Sequence, residues 1–123
     1  MKIFGALLAI VMLSTAPEVR FTDITSSSGI DFVHAHSPTS NKYLIETMGG
    51  GVALFDYDND GRLDIFFTNG AHLDDPQPPG KRPDKADRKY WDRLYRQNVI
   101  VTFTAATEKA GVTGMPQGYY GMG

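Results

Sequence analysis

The nine residues Asp56-Tyr57-Asp58-Asn59-Asp60-Gly61-Arg62-Leu63-Asp64 constrain this chain more than any other stretch. Carboxylates stand at loop positions 1, 3, 5 and 9, and a glycine stands at position 6. Alternate residues of a tight loop can aim their side chains at one centre, and a hard cation such as Ca²⁺ takes roughly six to eight oxygens. Position 6 must turn sharply, which glycine does at least steric cost. The spacing therefore assigns Asp56, Asp58, Asp60 and Asp64 as side-chain ligands of Ca²⁺. The carbonyl of Arg62, at position 7, is the expected backbone ligand.

The loop is not an EF-hand. That motif closes with a bidentate Glu at position 12 and is flanked by helices. Position 12 here is Phe67, and the flanks read as strands. Gly51-Val52-Ala53-Leu54-Phe55 precedes the loop, and Leu63-Asp64-Ile65-Phe66-Phe67-Thr68 leads out of it. β-Branched and aromatic residues dominate both runs. Asp64 then becomes the closing ligand. The plain alternative is an acidic surface turn, since Asp-Asn-Asp-Gly is good turn chemistry in itself. Four carboxylates in phase within an apolar hairpin favour the metal.

Composition narrows the class. The chain has 123 residues, about one small domain, with a mixed net charge of −2 that offers no basic face to nucleic acid. Thirteen glycines and seven prolines favour a turn-rich, all-β protein. No apolar run reaches the length of a transmembrane span. Lys2, the apolar run 3–13 and Ser14-Thr15-Ala16 read together as a signal peptide over residues 1–16, so the rest of the chain is expected outside the cytoplasm, secreted or at the cell surface. Pro17 at the first mature position is unfavourable for cleavage, and a buried N-terminal strand or helix is the plain alternative. With no cysteine, no disulfide can staple the fold.

Further along, Phe21-Thr22-Asp23-Ile24-Thr25 and Ile30-Asp31-Phe32-Val33-His34 read as strands around a Ser/Gly turn, whereas residues 43–47 are ambiguous. Residues 74–92 are proline-rich and charged, so an exposed loop is expected there, with a helical turn near 85–90. Trp91, Leu94 and Tyr95 return the chain to the core. In the run 97–103, β-branched residues resist the positive φ of a tight hairpin turn.

The end of the chain echoes its beginning. Phe103-Thr104, Thr107 and Gly111-Val112 reproduce the spacing of Phe21-Thr22, Thr25 and Gly29-Ile30, and Gly121-Met122-Gly123 falls where Gly49-Gly50-Gly51 precedes the acidic loop. A long period with a strand–loop–strand unit points to a propeller or solenoid. One such unit and part of another cannot close a ring, so the chain is expected to be the N-terminal fragment of a longer protein.

These residues resemble the FG-GAP/VCBS repeat proteins, whose repeats build integrin-α-type β-propellers. The chain is similar in particular to the start of bacterial proteins related to cartilage acidic protein 1, which carry a C-terminal ASPIC/UnbV domain. The resemblance rests on Phe21-Thr22-Asp23-Ile24-Thr25, Glu46-Thr47-Met48-Gly49-Gly50-Gly51-Val52-Ala53, the loop 56–64, Asn69-Gly70, Arg93-Leu94-Tyr95-Arg96 and Thr107-Glu108-Lys109-Ala110-Gly111-Val112. It implies that residues 17–123 form the first blade and part of the second of a calcium-binding propeller. Its implied role is adhesion or recognition of a protein or glycan. Asp56, Asp58, Asp60, Asp64 and the Arg62 carbonyl carry over as ligands, and no catalytic residue does. Where the family shows a glycine-containing turn after Leu94-Tyr95-Arg96, this chain has Gln97-Asn98-Val99-Ile100-Val101-Thr102-Phe103.

Other candidates carry less. His34 and His36 would share a strand face without a third ligand. His72 lies near Asp74 and Asp75 in a loop, and Glu46 either sits on the surface or reaches a ligand or a neighbouring blade. The triple glycine leads into a strand, so it permits close backbone packing and is not a dinucleotide fingerprint. Two further readings stay open: a non-catalytic part of a larger extracytoplasmic enzyme, and a self-contained small calcium-binding interaction protein.

Overall fold

A computed structural model describes residues 18–99, 101–113 and 119–121. The signal-peptide reading of residues 1–16 and the glycine at 123 lie outside them. Four strands carry the fold: β1 (Val52–Phe55), β2 (Asp64–Phe67), β3 (Arg93–Gln97) and β4 (Phe103–Ala105). They form one antiparallel sheet in the order β1-β2-β3-β4. Among the described residues, helix is limited to short turns: α1 (Thr25–Ser28), α2 (Leu44–Thr47), α3 (Thr107–Ala110) and a 3₁₀ turn at Arg88–Tyr90. The all-β expectation thus holds at the level of a four-stranded antiparallel sheet with little helix. Among the described residues, no helix is long and apolar enough to cross a membrane.

The β1–β2 hairpin follows the expected spans to within one residue at each end, with Val52 opposite Phe67 and Phe55 opposite Asp64. Register places Leu54, Ile65, Tyr95 and Ala105 in one cross-strand row on one face. Residues 30–35 cross that face. Phe32 stacks on Phe67 with centroids 4.5 Å apart, and Phe67 meets Tyr95 edge-on at 6.0 Å. The Tyr95 hydroxyl donates to Asp31 at 2.6 Å. Burial, then the Asp31 carboxylate, pushes that hydroxyl above the ordinary tyrosine range.

The two strands expected near the N-terminus do not form. Residues 21–24 join no sheet, and 25–28 close into α1 because the Asp23 carboxylate accepts the Thr25 N–H at 2.9 Å, an Asx turn that starts a helical turn instead of a ladder. Residues 30–34 have strand-like composition but lie across the sheet's face, where no ladder is offered to them. Conversely, β3 and β4 do form a tight hairpin. Asn98 N–H donates to the Thr102 carbonyl at 2.7 Å, and Val101 takes φ +58, the left-handed region that a β-branched residue resists.

Residues 74–92 are largely exposed, as expected, with a shorter helical turn than 85–90. Lys85 and Tyr90 are the correction: both are buried. His72 and Asp84 bridge the base of the excursion through two backbone bonds of 2.7 and 3.0 Å. The Lys85 ammonium reaches Asp92 at 2.7 Å and the Asn69 carbonyl at 3.1 Å. A cation without such partners could not be buried at acceptable cost.

Asn69 is the hub that joins the layers. Its side-chain oxygen accepts the N–H groups of Ala35 (2.8 Å) and Gly70 (3.0 Å). Its amide donates to the carbonyls of Lys89 (2.8 Å) and Trp91 (3.2 Å). Beside it, Ala71, Leu73 and Tyr120 form a small apolar core, with Tyr43 and Ile45 packed against it. Leu94 and Tyr95 are buried as expected, and Trp91 is half-buried. Within the triple glycine, a Cβ at Gly50 would lie 2.4 Å from the Thr68 carbonyl oxygen, so the close approach is real at that position.

The outer strand β1 is uncovered, with Val52 66% and Leu54 62% exposed. The helical turns α1 and α3 are built alike: Ile24 (φ −113, ψ 9) and Ala106 (φ −121, ψ 3) precede them, and Gly29 (φ +80, ψ 11) and Gly111 (φ +70, ψ 24) end them.

Candidate metal centre

The acidic loop spans the gap between β1 and β2. Its backbone is organised by its own carboxylates. Asp56 accepts the N–H groups of Asp60 (3.0 Å) and Gly61 (2.8 Å), and Asp60 accepts that of Arg62 (3.0 Å). Asn59 and Gly61 take φ +60 and +83, the left-handed turn that position 6 was expected to need. Asp64 opens β2 and has no solvent exposure. One of its oxygens accepts Tyr57 N–H at 3.0 Å and the other accepts Gln97 N–H at 2.7 Å, which ties the loop to β3.

Asp56, Asp58 and Asp64 come together: each offers an oxygen, and these lie within 4.8 Å of one another. Oxygens bound to one Ca²⁺ at about 2.4 Å can be no more than roughly 5 Å apart, so the trio has the right spacing. An all-carboxylate set suits a hard cation rather than Zn²⁺ or copper. The donors present therefore fit Ca²⁺.

Asp60, the fourth expected side-chain ligand, stands outside that trio. Its outer oxygen is held by the guanidinium groups of Arg62 and Arg96. Arg96 also pairs with Asp58 through Nε, and Arg62 Nε donates to the Gln97 carbonyl at 3.1 Å. The Arg96 hydrogen bond, opposed by desolvation, holds the Asp58 carboxyl below its ordinary value, and Asp58 raises Arg96 in return. Sequence reasoning missed Arg96 altogether. The signal available was its parity: beside the inward Tyr95, Arg96 must project from the other face, the face of Asp64.

The remaining candidates resolve differently. The rings of His34 and His36 stack at 6.4 Å, and among the described residues no third ligand joins them. His72 lies 3.4 Å from the Ser37 hydroxyl and 3.7 Å from Asp74, whose carboxylate also meets Lys81. Glu46 is a brace. It accepts the Thr39 and Tyr43 N–H groups, each at 2.8 Å, and the Thr39 hydroxyl. The Thr39 hydroxyl keeps its carboxyl below the ordinary value. The Tyr43-x-x-Glu46 spacing, a Glu reaching back three residues to a helix start, was the local signal for this.

Comparison with protein-family models, with curated proteins and with solved structures finds no match to this chain.

Proposed function

We propose that this chain is an exported calcium-binding repeat module of the FG-GAP/VCBS type, one blade and part of another of a β-propeller, whose ion is structural and whose role is adhesion or protein recognition. The observation that carries the calcium reading is the approach of Asp56, Asp58 and Asp64 to within 4.8 Å at the mouth of the β1–β2 hairpin. Like charges so close repel, and a divalent cation turns that repulsion into coordination, so binding adds to folding. Asp60 and the Arg62 carbonyl complete the proposed shell.

The repeat reading draws support from α1 and α3, whose entry and exit dihedrals agree closely. In the second copy, the residues before the helical turn are β4, paired to β3. In the first copy, residues 21–24 join no strand among the described residues, and Phe21 is 97% exposed. A neighbouring repeat would supply the missing strand, as ring closure requires. The four-stranded antiparallel sheet and the uncovered β1 suit a blade whose neighbours complete its packing.

Calcium titration by calorimetry, with Asp58→Ala alongside, tests the reading. Wild type binds Ca²⁺ and the variant does not. Absence of binding by the wild-type chain at about 10 mM Ca²⁺, well above the range of extracellular modules, or equal binding by both, sinks it.

A further inference from the structure

Resting on the calcium reading, we infer that Arg96 is a built-in rival of the metal ion: its guanidinium holds Asp58 and Asp60, and an ion gains those carboxylates by displacing it.

The geometry supplies the parts. Arg96 belongs to β3, which register fixes beside β2, so its side chain is delivered to the loop by the sheet and not by the loop itself. It spans two carboxylates at once, Asp58 through Nε and Asp60 through a terminal nitrogen. A planar fork with fixed donors suits that bridging better than an ammonium does. Asp58 is the residue the two cations share, since it is also a member of the carboxylate trio. With Arg62 also on Asp60, the four loop carboxylates face two guanidinium charges, which leaves the metal a weaker field than the sequence alone suggests.

Withdrawal has somewhere to go. A cavity of about 220 Å³ borders Arg96, lined also by Tyr57, Asn98, Thr104 and Lys109. The Arg96 side chain is 34% exposed, so it is neither locked in the interior nor free in solvent. Moving it needs a rotamer change, while β3 and the Gln97–Asp64 bond that anchors the closing ligand stay in place.

Calcium titration of the full chain by calorimetry, on Arg96→Met, Arg96→Lys and Arg93→Gln, tests the idea. Breaking two partly exposed ion pairs corresponds to about a tenfold gain in Ca²⁺ affinity for Arg96→Met. Arg96→Lys keeps the charge but not the fork and falls between. Arg93 lies on the opposite face of β3, and its variant stays within about twofold of wild type because screening limits long-range charge effects. A second reading is the Arg96 Nε–H resonance of the wild-type protein, which shifts as Ca²⁺ takes Asp58 away from it. Unchanged or weaker binding by both Arg96 variants, with wild-type binding intact, makes Arg96 a supporting residue and overturns the proposal while the calcium reading survives. If no protein binds Ca²⁺, both fall. Should Arg96→Met fail to fold, Arg96→Lys decides alone, by binding tighter than wild type or not.

Discussion

Removing the Asn69 side chain should cost a large share of the fold's stability. Its amide makes four hydrogen bonds, two accepted and two donated, all inside the protein. That fills the capacity of an asparagine side chain. A net value of about 0.5–1.5 kcal/mol per bond gives a loss of roughly 2–6 kcal/mol for Asn69→Ala. The upper half is expected, because Asn69 has only 1% exposure and water cannot easily replace its partners. Small domains are stable by about 5–15 kcal/mol in total, so this is a large share. Asn69→Asp should lose still more at neutral pH, since it aims a carboxylate oxygen at the Lys89 and Trp91 carbonyls. Urea unfolding followed by the fluorescence of the single tryptophan, Trp91, reports directly on this neighbourhood. Asn98→Ala is the control: it removes exposed bonds to Thr104 and should cost less than about 0.5 kcal/mol. A loss below about 1 kcal/mol for Asn69→Ala would refute the view that this residue joins the layers.

Calcium should raise thermal stability. At about 10 mM Ca²⁺ and a dissociation constant near 1 mM, the gain is about 1.4 kcal/mol, or roughly 4–7 °C, and Asp58→Ala abolishes it in differential scanning calorimetry. Gly61→Ala should cost about 1–2 kcal/mol in urea unfolding. No steric clash contributes to that cost, because a Cβ there meets nothing within 4 Å and only φ +83 is at stake. Acid should destabilise the fold through carboxyls held below their ordinary values: Glu46 by Thr39, Asp75 by Ser40 and Asp58 by Arg96. The unfolded chain binds these protons first, so their stabilisation is complete above about pH 5 and drains away as pH falls further. Urea midpoints across that range should fall less steeply for Glu46→Gln, and an unchanged slope would remove Glu46 from the account.

The hairpin around the acidic loop was legible because every signal for it is local: alternating apolar residues, turn chemistry and metal-ligand spacing lie within residues 51–68. What the sequence hides is non-local. The β2–β3 pairing joins strands separated by the long excursion 68–92, and only that register brings Arg96 to Asp58 and Asp60, or Gln97 N–H to Asp64. Strand composition also misled at 21–25 and 30–34, since a strand needs a neighbour and composition does not say whether one is present. At Val101 the tertiary pairing of β3 with β4 overrode a local preference that was correctly read. Asn69 carries no local signal for its role, since apart from its neighbour Gly70 its side-chain partners, Ala35, Lys89 and Trp91, come from segments that no spacing rule connects.

The His72–Asp84 bridge and the buried Lys85 turn the long excursion into a closed lasso, with residues 73–83 as its noose. The entropy of bringing its ends together is already met by the bridge, and doubling the length of such a loop costs only about 0.6 kcal/mol more. The Pro79-Gly80 tip can therefore take added sequence, such as a tag, a label or a foreign epitope, without disturbing the sheet or the acidic loop. The same length inserted beyond Asp84 would pull on Lys85, and through Asp92 and Asn69 on every layer of the fold.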